Sequence, residues 1–150
     1  MKLNCFLLAE FAAITKEMKV VIAGTFDMMT ATVPFGTELP LPPGHAIAMT
    51  PCYLVAITEC SISAGLRHQM RFRIVNGSGV PIVQETAFEI LYEMNQDGRP
   101  LRNNLVIHLS GVALPGADDY VFELWHADDK TPLGEFTFSV SVTARPDPSA

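Results

Sequence analysis

Apolar and polar residues alternate with period two through much of the chain, and turn-forming residues bound each alternating run. In His68-Gln69-Met70-Arg71-Phe72-Arg73-Ile74, Met70, Phe72 and Ile74 share one face and Gln69, Arg71 and Arg73 the other. Phe88, Ile90 and Tyr92 alternate with Glu89, Leu91 and Glu93, and Phe136, Phe138, Val140 and Val142 with Thr137, Ser139 and Ser141. Leu105, Ile107 and Leu109 form a less clean series, because Val106 between them is also apolar. Continuous apolar runs at 6–14, 19–23, 26–33 and 53–62 are rich in β-branched and aromatic residues, which favours strand; 6–14 also fits a short helix. With no amphipathic helices between the runs, the pattern predicts an all-β fold, a single antiparallel β-sandwich of about eight or nine strands.

Turn chemistry separates these strands. Asn76-Gly77-Ser78-Gly79 supplies the positive-φ positions of a tight hairpin. Asn95-Gln96-Asp97-Gly98, Pro115-Gly116-Ala117-Asp118-Asp119 and Asp128-Asp129-Lys130-Thr131-Pro132 mark further reversals. The stretch from Pro34 to Gly44 is rich in proline, which donates nothing to a ladder, so it lies at an edge or crosses between sheets. The last residues have little to bury, so the sandwich is expected over 1–143 and a disordered tail over 144–150.

Composition sharpens this picture. A chain of 150 residues, 49% hydrophobic and only 17% charged, makes one folded domain. Ten basic against 16 acidic side chains give a net charge of −6, which leaves no summed attraction for nucleic acid or an anionic membrane surface. No apolar stretch approaches the ~18 residues that span a bilayer. Glu10 interrupts the N-terminal apolar run, so this run reads as a first strand rather than a secretory leader, and the expected location is cytoplasmic. Cys5, Cys52 and Cys60 are odd in number and form no C-x-x-C pair, which makes them small hydrophobes. A mean hydropathy of +0.25 and apolar residues on both faces of several strands exceed what one sandwich hides, which points to self-association or a protein partner.

Two resemblances follow. Gly116-Ala117-Asp118-Asp119-Tyr120-Val121-Phe122 resembles the start of strand F in an immunoglobulin-like sandwich, where a tyrosine hydroxyl reaches back to upstream backbone. Phe122 stands where antibody domains carry a cysteine, which sets the chain apart from them. The order of motifs resembles an uncharacterised family of small bacterial immunoglobulin-like β-sandwich domains of unknown function. The motifs are Leu8-Ala9-Glu10, a turn at 23–27, the proline-rich crossing, a hairpin from His68 to Pro81, and the corner from Gly116 to Leu124. That resemblance implies the fold and a bacterial origin, and no activity.

Candidate chemistry is sparse. His45, His68, His108 and His126 show no H-x-x-x-H or H-E-x-x-H spacing, so a metal site would have to be assembled from separate strands. A simple hairpin closed from Leu114 to Tyr120 would set His108 opposite His126, with Asp128 and Asp129 adjacent. The tyrosine corner instead sends those two strands to opposite sheets and is the more specific signal. No serine lies in a G-x-S-x-G elbow, and Glu85, Glu89 and Glu93 read as one solvated strand face. Trp125 has the parity of Val121 and Glu123, opposite to Tyr120, Phe122 and Leu124, which places it on the outer face.

The reading is therefore a non-enzymatic binding or assembly module acting through protein–protein contacts, with no cofactor, no metal, and no catalytic residues. The candidate ligand or partner surface is Trp125, His126 and His108. The alternative is a small-molecule or carbohydrate-binding module using an exposed Trp125. A metal-dependent hydrolase is the third class.

Overall fold

The computed structural model describes residues 1–61, 65–93 and 100–147. Among them there are strands and no helices: β1 (Lys2–Ile14), β2 (Val20–Phe26), β3 (Met28–Val33), β4 (Ile47–Ala48), β5 (Cys52–Cys60), β6 (Arg67–Val75), β7 (Thr86–Leu91), β8 (Leu101–Leu109), β9 (Ala113–Leu114), β10 (Asp118–His126) and β11 (Gly134–Ala144). Nine are full-length, and β4 and β9 are two-residue strands that pair only with each other. The expected turn at 95–98, Ile62 and the tail end 148–150 lie outside the described residues.

One sheet has the order β2-β1-β5-β8 and the other β3-β11-β10-β6-β7. Their inner faces meet in the core. Leu8, Leu54, Phe72, Ile74, Phe122, Phe138 and Val140 form one cluster, and Ala56, Cys60, Met70, Ile90, Tyr92, Leu101 and Leu124 a second at one end. These are the residues that strand alternation assigns to the apolar faces. The fold is an all-β sandwich, as the period-two pattern requires.

Two features depart from the sequence expectation. The sandwich is not wholly antiparallel, because β3 runs parallel to β11, from Met28 opposite Ser139 to Val33 opposite Ala144. The stretch 23–27 is also not a turn: β2 stays extended to Phe26, and the chain passes from one sheet edge to the other at Asp27, whose carbonyl accepts from the Ser139 amide (2.9 Å). No hairpin reverses the chain there, so the crossing sets the direction of β3. The proline-rich stretch crosses back, from β3 in one sheet to β5 in the other by way of β4. At the C-terminal end the Arg145 amide donates to the Val33 carbonyl (2.9 Å), extending the ladder past Ala144.

The Asn76 turn forms as its residue types demand. The Asn76 side chain accepts from the amides of Ser78 (3.1 Å) and Val80 (2.9 Å), and Gly79 takes φ +76°.

The β1–β2 hairpin does not continue straight out of its sheet. Ala9 pairs with Tyr53 near the start of β5, and the tip lies beyond Ile14. Yet Asn104 Nδ2 donates to the tip carbonyl of Met18 at 2.7 Å, and Asn104 pairs with Ile57, further along β5 and on its other side. The hairpin must therefore fold back across the outer face of β5. Ala9 and Val55, both pointing outward, are fully buried as a result, although neither belongs to the inter-sheet core. Gly24, with φ +65°, lies at the bend between the rungs Ala9–Thr25 and Phe11–Ala23. A Cβ there would stand 2.5 Å from Glu10 Oε2, which the exposed Glu10 side chain relieves by moving aside, so it is the left-handed backbone that calls for glycine.

Candidate functional site

The three residues singled out from the sequence go to three different places. β8 and β10 belong to opposite sheets, so His108 and His126 do not face each other. The tyrosine corner decides this: Tyr120 Oη donates to the Gly116 carbonyl (2.8 Å) and accepts from the Gly116 amide (3.1 Å), fixing the chain as it enters β10. His108 packs on the outer face of the first sheet against Tyr53, ring centroids 5.0 Å apart.

Trp125 is on the outer face of the second sheet, as its parity requires, but it is half-buried rather than open. It pairs with Arg71 on β6. The guanidinium carbons of Arg71 and Arg73 stand 5.3 and 4.7 Å from its ring centroid. Its Nε1–H donates to Glu123 Oε2 (2.9 Å), the same oxygen that pairs with Arg73, and Arg71 reaches Glu85 at 3.5 Å. Alternation along β6 and β10 builds this ladder of cations, carboxylates and indole. A ring already flanked by two guanidinium groups is not a free stacking platform.

His126 follows Trp125 in sequence but points to the opposite face. There it meets a residue that sequence reasoning did not pair with it: His68 Nδ1 lies 3.3 Å from His126 Nε2, with the rings edge-on at 5.4 Å. His68 Nε2 lies 3.2 Å from the Gly65 carbonyl oxygen, and the ring packs edge-on to Tyr92. The β6–β10 ladder makes this meeting, ending at the rung His126–Met70 with His68 on the same face as Met70. The two strands are far apart in the chain, so no spacing rule signals it. Among the described residues, no group of three or more histidine, cysteine, aspartate or glutamate side chains is set to hold a metal.

The cysteines are free thiols, Cys52 and Cys60 buried and Cys5 half-buried. Burial pushes the Cys52 thiol up to about 11 and raises Cys5 and Cys60 as well, which is opposite to what a nucleophilic thiol needs. Burial likewise raises the phenols of Tyr92 and Tyr120, partly offset by their bonds to Thr58 and Gly116.

The folded-back hairpin leaves apolar side chains in solvent. Phe11, Ile14, Met18 and Val21 are 49%, 41%, 62% and 46% exposed, and Phe11 stacks edge-on against Tyr53. Among the described residues no helix is long and apolar enough to cross a membrane.

A family model described as a family of unknown function (DUF6941) matches residues 4–141. The chain belongs to this family of unknown function. No curated protein and no solved structure matches it.

Proposed function

We propose that this chain is a non-enzymatic assembly module of the bacterial cytoplasm, an immunoglobulin-like β-sandwich that associates with a second copy of itself through the β1–β2 hairpin. The exposed side chains of Phe11, Ile14, Met18 and Val21 on that one hairpin carry the reading. Each keeps roughly half of its surface in water, so covering the rest is worth on the order of 1 kcal/mol per side chain. β2 is an edge strand whose residues, Val20-Val21-Ile22-Ala23-Gly24-Thr25-Phe26, include no charge and no proline, so it lacks the usual protection against pairing. By contrast, the opposite edge, β8, carries Arg102, Asn103, Asn104 and His108.

Charge supports a second copy as the occupant. Glu10 and Glu17 balance Lys16 and Lys19, so the paired part of the hairpin from Leu8 to Phe26 is neutral, and a two-fold contact through it keeps the net −6 of each chain away from the interface. The immunoglobulin-like reading draws on the Tyr120–Gly116 corner and on the sheet order.

Sedimentation velocity across a concentration series tests the proposal. The wild type is expected to sediment as a dimer, and a Phe11→Ser, Val21→Ser double variant as a monomer with an unchanged circular dichroism spectrum. A wild type that stays monomeric at every concentration overturns it.

A further inference from the structure

Where β6 begins and β10 ends, the sandwich opens on a cavity of about 410 Å3 lined by Met1, Arg67, His68, His126, Asp129 and Leu133. His68 is only 8% exposed. Its Nε2 faces the Gly65 carbonyl oxygen, which can only accept, so the tautomer that fits carries its hydrogen on Nε2 and turns Nδ1 to His126 as an acceptor. In the metal-free protein the His126 Nε2–H then donates to that Nδ1.

The geometry points to a binding site for a divalent late-transition-metal ion of the zinc or copper class, held by His68 Nδ1 and His126 Nε2. Metal–imidazole bonds of about 2.0–2.1 Å at tetrahedral corners put two ligand nitrogens about 3.3–3.4 Å apart. The two nitrogens already stand 3.3 Å apart. The His68 Nε2–H bond to Gly65 is the outer hydrogen bond that metal-ligating histidines make, fixing both tautomer and ring orientation. The ion displaces the hydrogen and, at bonds of about 2.0–2.1 Å, sits to one side of the line between the two nitrogens. His126 then carries its hydrogen on Nδ1 and ligates through Nε2.

Asp129 lines the same cavity and is held next to His126 by its own amide, which donates to the His126 carbonyl (3.1 Å). Its carboxylate is not set as a third ligand, so water fills the remaining positions. Two imidazoles select for copper and zinc over magnesium or calcium, which take oxygen ligands. This site is separate from the hairpin and does not depend on the assembly reading.

The test is a titration of chelator-stripped protein with Zn2+, Cu2+ and Mg2+, followed by calorimetry and by imidazole nitrogen NMR. Zn2+ and Cu2+ are expected to bind at one equivalent and to shift the His68 and His126 resonances, with Cu2+ tighter and Mg2+ without effect. His126→Gln, at the half-buried member of the pair, is expected to weaken Zn2+ binding at least tenfold, and His45→Gln and His108→Gln to leave it unchanged. Because His68 is buried, His68→Gln is read alongside the circular dichroism spectrum, and His126→Gln alone decides if His68→Gln fails to fold. Undisturbed His68 and His126 resonances at saturating Zn2+, or equal affinity in His126→Gln, overturn the assignment.

Discussion

Asn104 on β8 holds the carbonyl of Met18 at 2.7 Å, tying the tip of the first hairpin to a strand from which β5 separates it. This bond closes the hairpin over Val55. Asn104→Ala is expected to cost about 0.5–1.5 kcal/mol. Hydrogen exchange locates the effect: amides of the hairpin from Phe11 to Ala23 exchange faster, and those pairing β5 with β8 keep their protection.

Gly24→Ala strains the same hairpin at its bend, through its φ of +65°. The expected loss is about 1–3 kcal/mol in urea denaturation. Thr25→Ala, at the next residue, serves as the comparison and is expected to lose less.

Tyr120 satisfies both backbone groups of Gly116 through one hydroxyl. Tyr120→Phe keeps the ring in the core and removes only that oxygen, leaving an amide and a carbonyl without it. The expected loss is about 1–3 kcal/mol, read from the urea midpoint with an unchanged slope.

Trp125 is the only tryptophan, so its emission reports on the Arg–Glu ladder alone. Arg73→Ala removes the nearer guanidinium and the partner of Glu123. It is expected to shift emission to the red as water reaches the ring, and to cost about 1–2 kcal/mol. An emission maximum identical to wild type would contradict the stacking.

The alkaline limb of stability follows from the buried thiol. Cys52 rises from 9.0 to about 11 on folding because burial disfavours its thiolate. A folded value above the unfolded one means its contribution is complete below pH 9 and is lost as pH climbs toward about 11. Tyr92 and Tyr120, both raised from 10.0, act in the same direction at higher pH. Urea midpoints are expected to fall through this window, less steeply in Cys52→Ala.

The sequence by itself determined which residues extend and which way each side chain points. Period two is a local property: Met70, Phe72 and Ile74 turn inward and Trp125 outward whatever the strands pair with, because successive residues of a strand alternate faces. The Tyr120 corner was legible for the same reason, being a bond across a few residues.

Only the tertiary structure decided which strands are neighbours. Alternation carries no information on partner, direction or distance, so the parallel β3–β11 pair, the folding of the first hairpin across β5 and the meeting of His68 with His126 left no mark in the spacing. It also parted Trp125 from His126: adjacency along a strand sends two side chains to opposite faces, and the ladder to β6 gives each its company, arginines for the indole and a second imidazole for the histidine.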